Sequence, residues 1–172
     1  TSATPLFARD EIMTGLKHLA GYRESTLLIT NLRPALIPPE KRGHYSDDPA
    51  VRAAIDEGRI GRIVALSSRR NIPAAWTPTI LEKIGPIVGD AIHDTDLMLW
   101  FTGDTVATAY AQTVSVRNLK FPDIGQTMYR FKGGATATLE TVWCMPEKTP
   151  FDIDERMSII GTVGIIHIQD TF

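Results

Sequence analysis

The sequence predicts an α+β fold: an open, mostly antiparallel sheet with helices packed on one face. Three observations lead there. Helical spacing and helix punctuation lie before residue 103, whereas two-residue alternation dominates after it. Closely spaced glycines then join successive strands as hairpin connections do. Helices first and strands later is the order expected when helices cover one side of a largely antiparallel sheet.

Each element follows from its residues. "ARDEIMTGLKHLA" (8–20) places Ile12, Leu16 and Leu19 at helical spacing, with acids early and Lys17 and His18 late. "TLLIT" (26–30) reads as a buried strand and the proline-rich 33–43 as a loop. In 46–58, Asp47 or Asp48 can cap a helix and Pro49 suits its first turn. Val51, Ala54 and Ile55 form its apolar stripe, and Gly58 ends it. Gly61 turns the chain into a strand, "RIVALSSRR" (62–70), and "NIPAAWTPTI" (71–80), with two prolines, follows as a loop. A second helix begins near Asp90 and closes at Gly103. Residues 105–116 alternate, with Ala107, Ala109, Ala111, Thr113 and Ser115 making a face small enough for a helix to approach. Gly133-Gly134 splits 125–145 into a hairpin, and Gly161 to Gly164 splits 156–168 into another.

Bulk properties narrow the function classes. The chain has 172 residues, 43% apolar and 22% charged, which suits one domain of ordinary globular composition. A net charge of −2 without a basic stripe argues against nucleic acid as a partner. No apolar run approaches the roughly 20 residues of a membrane-spanning helix. The single cysteine, Cys144, rules out an internal disulfide, and a cytoplasmic location is expected. No glycine-rich turn stands between a strand and a helix, so the chain by itself is expected to bind no NAD or NADP.

The chemistry-bearing stretch is "GPIVGDAIHDTDLMLWFTG" (85–103). His93 and Asp96 lie three apart and Trp100 four further on, so they share a helix side. A histidine beside a carboxylate can be held in one tautomer and used for proton transfer. The plain alternative is structural: helix starts collect polar residues because caps need them, and Asp90 is placed to be such a cap or first-turn acid. A metal site of the helical phosphohydrolase kind would need further ligands, but His18, His44 and His167 have no ligand-like spacing to His93, and no metal is expected. Arg69 and Arg70 close the first strand, where they could bind a substrate hydroxyl or carboxylate or simply be solvated. Trp76 could stack on a sugar or plug a gap. Asp152, Asp154 and Glu155 read as a solvated acidic turn.

Two stretches together, "DEGRIGRIVALSSRR" and "GPIVGDAIHDTDLMLWFTGD", resemble the second domain of the glucose-fructose oxidoreductase/inositol dehydrogenase/rhizopine catabolism (Gfo/Idh/MocA) family. "GATATLETVW" and "SIIGTVGIIHI" are similar to its sheet strands and hairpin. The resemblance runs from about Asp48 to Ile168. It implies a C-terminal substrate-binding and dimerisation domain of an NAD(P)-dependent oxidoreductase acting on a sugar, polyol or related hydroxy compound. Under it, His93 is the general acid/base or a hydrogen-bond donor to the substrate oxygen. Asp90, Asp94, Asp96, Arg69 and Arg70 are supporting or substrate-binding residues. NAD or NADP belongs to the full-length protein, and this chain alone is expected to be inactive. Residues 1–45 are then a remnant of a preceding nucleotide-binding domain plus a loop, and 46–172 the α+β domain, truncated at its end. Many members carry an aspartate four residues before the histidine; here that position is Gly89, and Asp90 is only three before. On a regular helix that offset turns a side chain by about 100°. A non-catalytic oligomerisation or binding module of the same fold is the alternative. Apolar residues on both faces of several strands, Met128 opposite Tyr129 and Phe131 among them, point to a homodimer formed through the uncovered sheet face.

Overall fold

The computed structural model describes residues 49–150 and 152–171. The readings for 8–20, 26–30 and 33–43, the Asp47/Asp48 cap and the domain assigned to 1–45 lie outside these residues.

Helix α1 (Pro49–Asp56) starts on its proline and buries Val51. Gly58 and Gly61 take positive φ (+73° and +70°), a conformation open to glycine without strain, and they deliver the chain into strand β1 (Ile63–Asn71). The stretch read as a loop carries two short elements: a 3₁₀ turn, Ala74–Trp76, and helix α2 (Pro78–Leu81). A π turn, Ile87–Ala91, then runs directly into helix α3 (Ile92–Thr102). The α3 helix stops at Gly103 (φ +59°), whose N–H bonds Leu99 O at 3.0 Å. Strands β2 (Val106–Val114), β3 (Ile124–Phe131), β4 (Thr136–Val142), β5 (Asp154–Gly161) and β6 (Ile165–Thr171) complete the described chain.

The six strands form one sheet in the order β2-β3-β4-β1-β5-β6. Only β1 and β4 run parallel; every other neighbouring pair is antiparallel. This is the α+β class expected from the sequence. Alternation decides which side is buried. In β3, Thr127, Tyr129 and Phe131 turn inward; in β4, Ala137, Leu139 and Thr141; in β5, Met157 and Ile159. These meet Val51 of α1, Ala91 of the π turn, and Met98 and Phe101 of α3. A fully buried side chain of this kind contributes roughly 1.5–3 kcal/mol relative to its exposed state, so this one layer holds the helices to the sheet.

Two expectations are corrected. The small-residue face of β2 is not packed by a helix: Ala111 is buried, but Ala107 and Ala109 are exposed. The α3 helix lies over β1 and β4 and the π turn over β3 and β4, so this edge strand is beyond their reach. The uncovered face is also less apolar than the composition of the strands suggested. Following Cα partners across the sheet, one row reads Tyr110, Met128, Thr138, Ser67, Ser158, His167. The next reads Gln112, Gln126, Glu140, Arg69, Arg156. Exposed apolar groups sit at the margins, Tyr110 and Met128 on one side and Ile160 and Ile165 on the other, with a polar middle.

Candidate functional site

Three elements meet where the parallel strands β1 and β4 end: the π turn, the first turn of α3 and the start of β5. Arg70 is the centre of this meeting. It is the last inward-facing position of β1, and only 3% of it is exposed. Its Nε donates to Asp94 Oδ2 at 2.9 Å and stands 3.5 Å from Asp90 Oδ1. Its Nη2 contacts Glu155 Oε1, on the strand residue with which Arg70 is in register. Ser68, two residues back on the same face, donates from Oγ to Asp94 Oδ1 at 2.8 Å. Trp143, just past β4, donates its indole N–H to Asp90 Oδ2 at 3.1 Å. Next to this set, the Thr95 hydroxyl and the Tyr129 phenol are 3.0 Å apart, both buried.

Three carboxylates thus share one buried guanidinium. Burial pushes the Asp90 carboxyl up to about 6; the Arg70 cation and the Trp143 N–H oppose this, and the neighbouring Asp94 charge adds to it. Between the ordinary aspartate pKa of 3.8 and about 6, folded Asp90 keeps a proton that the unfolded chain has released. The stability contributed by Asp90 therefore falls as pH rises through that window. Asp90→Asn removes this dependence and keeps an oxygen acceptor for Trp143. The stability of the variant relative to wild type is expected to rise between pH 4 and 7 by about 2 kcal/mol, read from urea unfolding by circular dichroism at each pH. A difference that does not change with pH would contradict the protonated carboxyl.

The sequence-nominated residues are divided by the sheet. Arg69 and Arg70, adjacent in sequence, project to opposite faces because strand side chains alternate. Arg69 is half exposed on the uncovered face, paired with Asp154 at 3.3 Å, and lines a groove of about 710 Å³ there with Glu140, Arg156, Ser158 and His167. The Ser158 Oγ and His167 Nδ1 are 2.9 Å apart in that groove. Arg70, by contrast, is neither solvated nor open to a substrate. Asp90 and Asp94 are buried, Asp96 is half-buried and His93 is exposed on the outer side of α3. The imidazole is not among the residues that line the groove.

Of the two readings of Asp90, the cap is not seen, whereas the first-turn acid is: Asp90 lies in the first turn of the π segment. Neither the π turn nor α3 has a side-chain cap bond, because the carboxylate turns inward to Arg70 and Trp143. The acidic turn is likewise no solvated cluster. Asp152 is exposed, but Asp154 is buried between Arg69 and Arg156, and Glu155 reaches Arg70. Trp76 is 51% exposed, so it plugs no gap. Trp100, also exposed, lies under the Arg52 guanidinium of α1, 5.7 Å from its ring centroid.

Gly89 has a direct physical reason. A Cβ there would stand 2.7 Å from Cη2 of Trp143 and 3.2 Å from Cγ2 of Ile84. The indole occupies the space that a side chain at position 89 would need. Trp143 is itself locked: its carbonyl accepts from Thr77 Oγ1 at 2.7 Å and from Arg117 Nη2 at 2.8 Å. Arg117 also bonds Ala74 O at 2.7 Å and fully buried Asp123 at 2.6 Å. Burial pushes the Asp123 carboxyl upward, but the N–H groups of Arg117 and Val116 and the Arg117 side chain outweigh it and hold the group below the usual range. Sequence reading missed Arg117, Asp123, Glu155 and the inward role of Trp143. The only local signal was the coincidence of charged residues with inward positions of an alternating pattern.

Among the described residues, no group of three or more His, Cys, Asp or Glu is arranged to hold a metal, and no helix is long and apolar enough to cross a membrane. β1 leads into Pro73 and a 3₁₀ turn rather than into a glycine turn and a helix N-terminus.

Residues 49–167 match the GFO/IDH/MocA C-terminal domain. An inositol 2-dehydrogenase of Saccharopolyspora erythraea is 29% identical over 120 residues, covering 69% of this chain and 34% of that protein. The chain therefore spans about a third of that relative's length. The fold is similar to that of myo-inositol 2-dehydrogenase from Lactobacillus plantarum (TM-score 0.62, 22% identity, 72% of this chain and 39% of that one). It is similar also to the WlbA dehydrogenase from Bordetella pertussis, solved with NADH and UDP-GlcNAcA (TM-score 0.61, 21% identity, 75% and 40%). With the strand order, the helix that carries His93 and the family match in agreement, the chain belongs to the GFO/IDH/MocA oxidoreductase family, and residues 49–167 are its C-terminal domain.

Proposed function

We propose that residues 46–172 form the substrate-binding and dimerisation domain of an NAD(P)-dependent oxidoreductase acting on a sugar, polyol or related hydroxy compound. The observation that carries this reading is the mounting of His93: an exposed imidazole on the outer side of a helix whose inner side is tied by charge to the sheet. A neutral imidazole there accepts the hydroxyl proton of a bound carbinol as it is oxidised, and returns it in the reverse direction. Asp96, on the same side of the helix, supports the imidazole. The inositol dehydrogenase relative supports the substrate class, and the NADH bound to the WlbA dehydrogenase supports the cofactor class. The dinucleotide is held by residues elsewhere in the full-length protein, and this chain alone is inactive. Arg69, in the groove, serves the uncovered face rather than the His93 side. That face is the homodimer contact, and its exposed apolar groups, Tyr110, Met128, Ile160 and Ile165, support the reading. The cytoplasm is the compartment of such an enzyme.

The test is a steady-state assay of the full-length protein with NAD or NADP, myo-inositol and a panel of sugars. Substrate-dependent nicotinamide reduction, lost in His93→Ala, is the expected result, and light scattering of the same preparation should give a dimer. Turnover that survives His93→Ala, or none on any substrate, would favour the non-catalytic module. The indole filling the space beside Gly89 is the observation on that side.

A further inference from the structure

We infer that Arg70 is a positioning residue for His93: its guanidinium, buried under the π turn, ties Asp90 and Asp94 to strand β1 and so fixes the direction in which the imidazole leaves the helix. This inference rests on the reading of His93 as the proton-transferring group.

The observations concern a join between two kinds of helix. The π turn ends at Ala91 and α3 begins at Ile92. A π turn holds one residue more than an α turn and occurs mostly as a single turn joined to an α-helix, often at a functional site. His93 is the second residue after the join, so the angle at which it projects depends on whether that extra residue is kept. Asp90 and Asp94 stand on the two sides of the join, and both are held from below. Asp90 is held by the Trp143 indole (3.1 Å) and lies 3.5 Å from Arg70. Asp94 is held by Arg70 (2.9 Å) and Ser68 (2.8 Å). A slip of one residue at the join would turn one of these carboxylates away from Arg70. Apolar contacts would tolerate that rotation far better, since they have no direction.

The choice of residue agrees. Burying a guanidinium costs several kcal/mol before its partners compensate, and an apolar side chain of similar size would avoid that cost. What arginine supplies instead is a planar fork of donors that fixes the angles of its partners, which a lysine ammonium does not. Here one fork meets Asp90, Asp94 and, through Nη2, Glu155. Two partners lie on the helical side and one on β5, so the join is fixed relative to the sheet itself.

A double-mutant cycle on the full-length protein, assayed with NAD and myo-inositol, tests this. Arg70→Lys keeps the charge and loses the fork. It is expected to lower kcat about tenfold or more while KM for NAD changes by less than about twofold. In a His93→Ala background the same substitution should have no further effect on kcat, because a residue that acts through His93 has nothing left to act through. Equal losses in both backgrounds, or no loss in the first, would overturn the inference. Ser68→Ala, which removes one bond to Asp94 and no charge, provides the same cycle if Arg70→Lys does not fold; its loss should be smaller and again absent without His93. If the wild-type protein oxidises no substrate, the dehydrogenase reading fails by itself. Positioning is then read from the ring Cε1–H resonance of His93 by NMR in ¹³C-histidine-labelled protein. A changed shift and titration midpoint in Ser68→Ala, with the melting temperature held, supports the inference; an unchanged resonance overturns it.

Discussion

Replacing Arg70 with methionine should destabilise the domain by about 3–5 kcal/mol, the range for removing one partner of a buried ion pair. The volume is nearly kept, so little of this is a cavity effect. The loss comes from Asp90, Asp94 and Glu155, which would face one another without the cation they share. At 4% side-chain exposure for Arg70 and 3% for Asp94, water cannot take over that role. Urea unfolding followed by circular dichroism measures the change. Because a typical domain is stable by only 5–15 kcal/mol, the variant should also show a clear drop in melting temperature. The loss should be smaller below about pH 6, where Asp90 is protonated and needs no partner. A loss under about 1 kcal/mol, typical of an exposed pair, would mean that the cluster is hydrated in solution.

The second large effect is catalytic. His93→Ala should lower turnover of the full-length enzyme by a factor of about 10²–10⁴, the usual contribution of a positioned general acid/base. Stability should hardly change, since exposed surface positions usually alter it by no more than about 0.5 kcal/mol. Cofactor affinity should stay the same, because the proposed role of His93 is proton transfer and not nucleotide binding. The split separates roles: a fall in kcat with unchanged stability and cofactor binding assigns proton transfer to the imidazole. A fall in both activity and melting temperature would instead show that residue 93 holds the helix in place.

Two of the carboxylates that Arg70 holds, Asp90 and Asp94, lie beside His93 in one short segment, yet the sequence treated all three alike. Asp90, His93, Asp94 and Asp96 read as one polar helix start, with His93 and Asp96 singled out by spacing. The structure keeps His93 outside, half-buries Asp96 and takes the other two into the core. Helical spacing puts Asp90 and Asp94, four apart, on one side, but it does not say which side the sheet takes. Arg69 and Arg70 teach the same lesson in a strand. Alternation requires them to point to opposite faces, but it does not say which face the helices cover.

Local chemistry was enough to determine much of this protein. Gly58 and Gly103 end their helices because glycine takes the left-handed turn freely, and Gly133-Gly134 splits a hairpin whose strands alternate on their own residues. Those features, together with the motif around His93, set the α+β class and the family resemblance. Only the tertiary structure decided the partners of the buried charges. Asp94 meets Ser68 and Arg70 across 26 and 24 residues, and Trp143 reaches Asp90 across 53. Such pairings depend on strand register and on the seating of a helix over a parallel pair. A hydrophobic pattern tells each segment which side to bury, but it carries no information about which distant charge will be waiting there.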